Sequence, residues 1–285
     1  VRQVRLYPSD SSPLMRTLTL AIFTLTVLLG RGLAVETPRT LKALLVIGGC
    51  CHDYGAQKDI IKEGLEKRAN LKVDIVYTPD KTTNPALAIL GKPDYAKGYD
   101  VVIHDECGAD IKDAALIRGV LAPHLAGIPG VNLHCAMHSY RIGPPATKAD
   151  VGTDRALWFE YLGLQSSGHG PKLPIIVSYA GAASPITRGF AEWTTGPEEH
   201  YNNIQVLPTA KVLARGKQVV KEKENDFAVV WTNDYRGTRI FSTTIGHFNE
   251  TVADARYLDL VARGLLWACQ KLDDSGKPLR GYGPK

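Results

Sequence analysis

The stretch VNLHCAMHSY, residues 131–140, decides the fold prediction. A short apolar run stops abruptly at two histidines, and runs bounded in this way are typical of buried strands. In open α/β sheets, ligands bind just beyond the carboxyl ends of such strands. His134 and His138 would share one face of a helix that began here, which suits two metal ligands or two acid/base groups. The stretch therefore predicts a strand that leads into a site.

The same alternation of apolar runs and helical periodicity extends outward in both directions. Before this stretch, strands are predicted at 41–47, 71–77, 100–104 and 128–133, and helices at 57–68 and 111–124. After it, helices are predicted at 156–162 and 257–272 and strands at 174–179, 205–214, 227–232 and 238–245, with polar loops at 166–171 and 184–203. This order predicts an α/β fold with a mostly parallel sheet and helices on both faces.

The first residues have the features of a secretory signal rather than of a fold. Met15 and Arg16 precede an apolar stretch at 18–29 that is too short to span a membrane, and small residues follow at Gly32 and Ala34. We expect a signal peptide at 1–34 with upstream read-through before Met15, an α/β domain at 35–274 and a polar tail at 275–285. The protein is then exported, to the periplasm or outside the cell; an uncleaved anchor is the alternative.

Charge and composition exclude two classes of protein. The chain is 44% hydrophobic, which is ordinary for a globular protein. Residues 1–34 hold four arginines and one aspartate, so without them the formal charge falls from +5 to +2. No later segment concentrates basic residues with aromatics, which argues against nucleic-acid binding, and no second apolar segment is long enough to span a membrane. A homo-oligomer is compatible with these data.

The five cysteines form no spaced CxxC pair. In a chain of this length we expect most of them to be small buried residues, and one disulfide of unspecified pairing would suit an exported protein. Cys135 follows a strand, as a catalytic nucleophile would, but the flanking positions lack the glycines of a nucleophile elbow. We therefore expect no cysteine nucleophile. The glycine pair at 48–49 matches no phosphate-loop pattern.

Ionisable residues follow four of the predicted strands. These residues are His52 with Asp53, Asp105 with Glu106, His134 with His138, and His247 with Glu250. Because a parallel sheet brings its carboxyl ends to one edge, the pattern predicts a shared site. Simpler roles stay open: a helix cap for the first pair and solvated loop positions for the second. His124 and His200 are expected at the surface, and His169 fits either a turn or a ligand contact.

Three of these histidines also suit a metal ion. His52, His134 and His247 supply neutral imidazoles, and Glu199 could complete a set for a divalent ion such as zinc. No HExxH-type signature supports the ion, and the same histidines could act as acids and bases without metal. Both interpretations remain open at this point.

Six segments together resemble one family. They are LLVIGGCCHDY, YDVVIHDE, VNLHCAMHSY, SPITRGFAEW, PEEHYN and RIFSTTIGHFNETVADARYLDLVARGLLWA, spread between residues 41 and 271. In these segments the chain resembles the ThuA-like (trehalose-utilisation) family. It departs from that family at Ser184, which replaces the histidine of the usual HPIT, and at the cysteine pair 50–51.

The resemblance implies a flavodoxin-like sheet similar to the class I glutamine amidotransferase domain, without its cysteine. His134 falls near the position of that cysteine, so the chain is not expected to be a working amidotransferase. The resemblance also suggests sugar or keto-sugar metabolism. We expect catalytic roles for His134, His138, His52 and His247, and substrate binding by Asp53, Glu199, Tyr201, Asn249 and Glu250.

Two hypotheses of function follow. The first is an exported enzyme that hydrolyses, isomerises or eliminates from a sugar or keto-sugar, with histidines as proton-transfer groups. The second is a non-catalytic carbohydrate-binding module, which needs exposed aromatic rings; Trp158, Trp193 and Trp231 are the candidates, whereas Trp267 is expected in the core. In both hypotheses the partner is a small carbohydrate.

Overall fold

A nine-stranded sheet runs through residues 38–179 and 183–285, the parts of the chain that the computed structural model describes. The expected signal peptide lies outside these residues. The strands are β1 (Leu41–Gly49), β2 (Leu71–Thr78), β3 (Val101–Cys107), β4 (Gly130–Leu133), β5 (Leu164–Ser178), β6 (Trp193–Val206), β7 (Ala210–Val220), β8 (Lys223–Tyr235) and β9 (Thr238–Thr243). Their spatial order is β2-β1-β3-β4-β9-β8-β7-β5-β6.

The first five strands of this order form a parallel half. β1 pairs with β2 and β3, β3 with β4, and β4 with β9, all in parallel. β1, β3, β4 and β9 are mostly or entirely buried, as expected when helices cover both faces of a parallel sheet, whereas β2 at the sheet edge is partly exposed. Their carboxyl ends lie along one edge of the sheet, and three of the predicted histidines follow them.

The other four strands form an antiparallel half, so the prediction of a mostly parallel sheet is wrong and the sheet is mixed. β9 pairs with β8, β8 with β7, β7 with β5, and β5 with β6, all antiparallel. The expected loop at 166–171 is part of β5, and β6 begins inside the expected loop at 184–203. Both strands were missed because their sequences are polar. Cross-strand pairing stabilises them, so no apolar run indicates them in the sequence.

Helices cover both faces of the parallel half. They are α1 (Tyr54–Glu66), α2 (Ala114–Leu125), α3 (Leu157–Leu162), α4 (Asn249–Val252) and α5 (Ala255–Ala268). Alternate residues of β1 enter different cores: Leu45 packs with residues of α1 and α5, and Leu44 with residues of α2 and α3. The period of two in strand side chains explains this division. None of the described helices has the length and apolarity needed to cross a membrane.

Several predicted element boundaries differ from the structure by a few residues, and at three places the structure differs from the prediction in kind. Asp105 and Glu106 lie inside β3 and are buried, so they are not solvated loop residues. The residues after β4 form a 3-10 helix, His134–His138, rather than an α-helix. At the chain end, Tyr282 in the tail 275–285 is buried in the core beside α5.

Candidate metal centre

Three separate strands deliver one histidine each to the same edge of the sheet. His52 follows β1, His134 follows β4 and His247 follows β9. Their ring centroids lie 4.7 Å apart for His52 and His134, 4.7 Å for His52 and His247, and 5.4 Å for His134 and His247. The topology explains the meeting, since parallel strands end at one crevice.

Glu199 reaches this edge from the opposite half of the sheet. It lies in β6, the outermost strand of the antiparallel half, which nevertheless contacts β8 and α4. Its Oε2 is 3.5 Å from His134 Nε2, and its Oε1 is 3.4 Å from His247 Nδ1. The hairpin of β5 and β6 therefore folds back over the carboxyl edge. We call His52, His134, His247 and Glu199 the edge cluster.

The backbone of His134 has an unusual conformation. Its φ is +39°, in the left-handed region that few residues other than glycine adopt. Non-glycine residues held there are concentrated at functional sites, where the surrounding structure imposes the strain. His134 thus makes the sharp turn between strand and helix where the resemblance places the lost cysteine.

Hydrogen bonding determines which nitrogen of His134 is available. Its Nδ1 lies 2.6 Å from the carbonyl oxygen of Thr244, which can only accept a hydrogen bond. Nδ1 therefore carries the proton, and Nε2 presents a lone pair to the cluster. His247 Nδ1 is 3.3 Å from that Nε2.

His52 provides the clearest sign of a missing partner. Both of its ring nitrogens are buried and have no hydrogen-bond partner within the described residues. Burial, reinforced by the nearby His134 and His247, lowers the pKa of His52 from 6.5 to about 2. The imidazole is therefore neutral at physiological pH, which is the form that binds metals. Buried polar atoms without partners are costly, so a ligand is the expected explanation.

The carboxylate of Glu199 is ionised in this setting. Burial alone would raise its pKa, but the neighbouring imidazoles of His134, at 3.5 Å, and His247, at 3.4 Å, hold the pKa well below its usual range. One ligand atom from each member of the edge cluster lies within 4.8 Å of all the others. Three imidazoles and one carboxylate at that spacing fit a divalent ion such as zinc.

The residue before Glu199 anchors the loop that carries His247. Glu198 is fully buried, and its carboxylate accepts hydrogen bonds from the backbone N–H groups of Gly246, at 3.3 Å, and His247, at 3.0 Å. Gln57 also donates to the His247 carbonyl oxygen at 3.1 Å. Gly246 has φ +129° and an added Cβ would lie 2.9 Å from the Tyr257 hydroxyl, so only glycine fits there.

His138 and Tyr201 lie next to the edge cluster but outside its ligand set. Their rings stack, with centroids 4.0 Å apart and planes 5° from parallel. His138 Nε2 pairs with the Ser166 hydroxyl at 2.9 Å, and burial lowers the pKa of His138 well below 6.5. Since the turn is a 3-10 helix, with three residues per turn, His134 and His138 do not share one face as expected. The Tyr201 hydroxyl is buried and has no partner among the described residues, and the Tyr201 ring packs on His134 with centroids 5.1 Å apart.

A cavity of about 660 Å³ opens beside the edge cluster. Two cluster members, His52 and His247, form part of its wall, together with the predicted substrate-binding residues Asp53, Asn249 and Glu250. Asn249 donates a hydrogen bond to Asp53 at 2.8 Å, and Asp53 also caps α1 as the simpler interpretation expects. The predicted residues therefore divide between a buried ligand set and an accessible cavity wall.

Two basic residues of β5 join the site: His169, for which a ligand contact was one of two open interpretations, and Lys172, which the sequence did not single out. His169 Nε2 lies 3.6 Å and Lys172 Nζ 3.8 Å from Glu199 Oε1. Lys172 also lines the cavity and lies 5.5 Å from the centre of the Phe248 ring. Both residues face β6 across the hairpin, where Lys172 pairs with Glu199 and His169 with Tyr201. No local signal could reveal this, since the pairing depends on the register of two polar strands.

A second histidine cluster is buried beneath α2 and α3, and we call it the core cluster. It consists of His104, Glu106 and His124. His124 Nδ1 donates to the Ile128 carbonyl oxygen at 2.7 Å, so its Nε2 accepts from His104 Nε2 at 3.1 Å. His104 Nδ1 pairs with Glu106 Oε1 at 2.8 Å. The prediction of a surface position is wrong for His124, which is fully buried, and for His200, which is 2% exposed.

Three tryptophans bear on the carbohydrate-binding-module hypothesis. Trp158, Trp193 and Trp231, the three expected platforms, are 1%, 3% and 0% exposed. Trp158 and Trp231 donate their indole N–H groups to backbone carbonyl oxygens inside the protein. The expectation that these rings face solvent is therefore wrong, because their size and single donor suit a core with one well-placed acceptor.

Comparisons with known proteins agree with the fold. The sequence model of the ThuA family, described as trehalose utilisation, matches residues 42–268. A ThuA-like protein from Parabacteroides merdae ATCC 43184 has a TM-score of 0.63 at 18% identity, covering 86% of this chain and 97% of that one. A ThuA-like protein from Bacteroides uniformis ATCC 8492 has a TM-score of 0.57 at 19% identity, covering 87% and 99%.

A more distant structure is that of a carbohydrate deacetylase, with a TM-score of 0.51 at 13% identity. The match covers 81% of this chain and 33% of the deacetylase. At these identities the likeness is one of fold alone. No curated protein matches the chain significantly.

Proposed function

The chain belongs to the ThuA family, described as trehalose utilisation, and from that premise we propose that it is a metal-dependent enzyme acting on a sugar or keto-sugar. One observation carries the proposal: the two buried, unpartnered ring nitrogens of His52 lie among two histidines and an ionised glutamate. His200 also has two buried ring nitrogens without partners, but among the described residues it belongs to no group that could hold a metal, so the neighbours of His52 distinguish it. The family description supplies the substrate class, and the cavity beside the cluster supplies the space.

His52, His134, His247 and Glu199 would hold the ion. A divalent ion such as zinc supplies a Lewis acid that polarises a carbonyl or hydroxyl oxygen. The protein fixes the ligands beforehand: Thr244 sets the tautomer of His134, and the neutral state of His52 leaves a lone pair available. Such preorganisation is what makes a metal site effective.

The cavity wall offers the contacts that a sugar ring requires. Asp53 and Glu250 present carboxylates that accept hydrogen bonds from hydroxyl groups, and Asn249 holds Asp53 in place. Tyr77 and Phe248 present aromatic rings against which the C–H face of a pyranose can pack. Polar groups thus fix the orientation of the substrate while the rings provide apolar contact.

Lys172 is the cation best placed to act on the substrate. Its ammonium group lines the cavity and lies 3.8 Å from Glu199, at the boundary between the cavity and the edge cluster. Negative charge that develops on a substrate oxygen near the cluster would be stabilised there. Hydrolysis, isomerisation and elimination each develop such charge at a keto-sugar, and their products distinguish them.

The test is turnover of a panel of glucosides and keto-glucosides by the purified full chain, with zinc added or removed by a chelator. We expect turnover that chelation abolishes and zinc restores, and its loss in Glu199→Gln. His200→Gln is the matched control, because His200 follows Glu199 but packs on the Phe227 ring at 5.2 Å. Turnover that survives both chelation and Glu199→Gln would refute a metal-dependent enzyme.

A further inference from the structure

Four of the five cysteines meet at the same edge of the sheet as the histidines. Cys50 follows β1, Cys107 ends β3 and Cys135 lies in the 3-10 turn after β4, and these three strands are neighbours. Gly49 pairs with Cys107 across β1 and β3. An added Cβ at Gly49 would lie 2.4 Å from the Cys107 carbonyl oxygen, so this glycine allows the close approach.

The four sulfurs form a continuous path from the cavity into the core. Cys50 and Cys51 are joined by a disulfide. Cys107 Sγ lies 3.3 Å from Cys50 Sγ, and Cys135 Sγ lies 2.6 Å from Cys107 Sγ. Cys51 is exposed and lines the cavity, whereas Cys107 and Cys135 are 3% and 5% exposed. The outer end of the path is therefore accessible and the inner end is not.

This arrangement meets the requirement for thiol–disulfide exchange. A disulfide is broken when a thiolate attacks one of its sulfurs through a mixed-disulfide intermediate. Cys107 is the thiol in contact with the Cys50–Cys51 disulfide. Cys135 donates an S–H hydrogen bond to the sulfur of Cys107. The contacts therefore set the order of the exchange: Cys107, which touches the disulfide, is the attacking sulfur, and Cys135, which touches Cys107, resolves the intermediate.

We propose that these cysteines form a disulfide relay, in which the bond moves from Cys50–Cys51 to Cys107–Cys135. The Cys107 thiolate attacks Cys50, a Cys50–Cys107 bond forms, and Cys51 leaves as a thiolate that takes up a proton. The Cys135 thiolate then attacks Cys107, and Cys50 leaves and is protonated. The relay consumes two thiols and one disulfide and yields two thiols and one disulfide, so no external oxidant is required.

The two ends of the relay adjoin two members of the edge cluster. Cys51 immediately precedes His52, and Cys135 immediately follows His134. Moving the disulfide therefore changes the constraint on both histidine backbones. Any effect of this change on metal binding rests on the proposed function, whereas the disulfide exchange itself does not.

The exchange can be trapped in the metal-free full chain. The protein is equilibrated in glutathione buffers from reducing to oxidising, free thiols are alkylated in acid-quenched samples, and disulfide-linked peptides are mapped by mass spectrometry. In Cys135→Ala the relay stops halfway, so we expect a Cys50–Cys107 peptide with Cys51 alkylated. Cys269→Ala, which removes the one cysteine that is not part of the relay, should leave the disulfide-linked peptides of the wild type unchanged.

A second variant, Cys51→Ala, provides an independent test in case Cys135→Ala disturbs its surroundings. In Cys51→Ala the outer disulfide cannot form, and oxidation should join Cys50 to Cys107 or Cys107 to Cys135. The proposal is overturned if neither variant yields a bond to Cys107 in any buffer while circular dichroism shows both to be folded. Because no metal is present, this failure is distinct from a failure to bind zinc, which would refute the proposed function and leave the relay intact.

Discussion

The edge cluster and the core cluster are both built from buried histidines and one glutamate, yet their hydrogen bonding differs. In the core cluster every ring nitrogen has a partner at 3.1 Å or less. In the edge cluster the nitrogens of His52 have none among the described residues. The other side-chain contacts of the cluster are 3.3 Å or longer, apart from the bond that orients His134. Burial is therefore common to both clusters, and satisfaction of the nitrogens distinguishes them.

This difference in hydrogen bonding indicates different roles for the two clusters. A network whose ring nitrogens are all paired stabilises a core, even though Glu106 Oε2 has no partner among the described residues, while imidazoles held close without partners are arranged for a ligand. The core cluster should affect stability and leave metal binding unchanged, and the edge cluster should do the reverse. The following substitutions test that division.

The largest effect is expected when the core cluster is broken. His104→Ala removes a hydrogen-bond partner of His124 Nε2 and of Glu106 Oε1, and each buried polar group left short of a partner costs about 1–3 kcal/mol of unfolding free energy. Denaturant titration measures this loss. Zinc affinity, measured by calorimetry under conditions where the variant is folded, should stay within about twofold, and a loss of zinc binding in the folded variant would contradict the division.

The next effect is the converse change at the edge. Loss of a hydrogen-bond partner of a metal ligand typically costs about 10–100-fold in affinity, so loss of a ligand itself, in Glu199→Gln, should cost at least about 100-fold. Calorimetric zinc titration provides the value, with His200→Gln as the control that keeps the ligand set. An affinity unchanged in Glu199→Gln would remove this carboxylate from the site.

Zinc should also stabilise the folded chain through the edge cluster. A ligand that binds only the folded state at ten times its dissociation constant adds about 1.4 kcal/mol to the unfolding free energy. Denaturant curves with and without zinc should show this increment in the wild type and in Lys172→Met, but not in His134→Ala. An equal increment in His134→Ala would indicate that zinc binds elsewhere.

A smaller effect concerns pH and the core cluster. Burial, with the neighbouring His104, lowers the pKa of His124 from 6.5 to about 3. Between these values the unfolded chain binds a proton that the folded chain does not, so stability falls as the pH drops below 6.5. This one group should contribute a loss of about 1 kcal/mol between pH 6.5 and 5.5. Denaturant titrations at the two pH values should show a loss of unfolding free energy that is smaller by that amount in His124→Gln. An equal loss in the variant and the wild type would contradict a neutral buried imidazole at His124.

The parallel half could be predicted from the sequence because its strands are apolar runs that end abruptly. The run before His134 and the run before His247 were both recognisable, and the rule that parallel strands end at one edge brought their histidines together. His52 followed from the same pattern. Where the signal is local and the topology follows a rule, sequence alone was sufficient.

The antiparallel half could not be predicted in the same way. β5 and β6 are polar, and Ser166, Pro171 and Gly196 are typical of loops. The position of Glu199 against His134 depends on how the hairpin folds back, and the positions of His169 and Lys172 depend on its register. The burial of His124 and His200 was missed because residue type alone does not reveal whether a buried partner exists.

In the proposed site one divalent ion binds to His52, His134, His247 and Glu199. Anomalous diffraction at the zinc absorption edge, from crystals of the full chain grown with zinc, locates such an ion. We expect one strong peak about 2.0–2.2 Å from the ligand atoms of those four residues. A structure with His52 ordered, zinc present in the crystal and no peak at this position would contradict it.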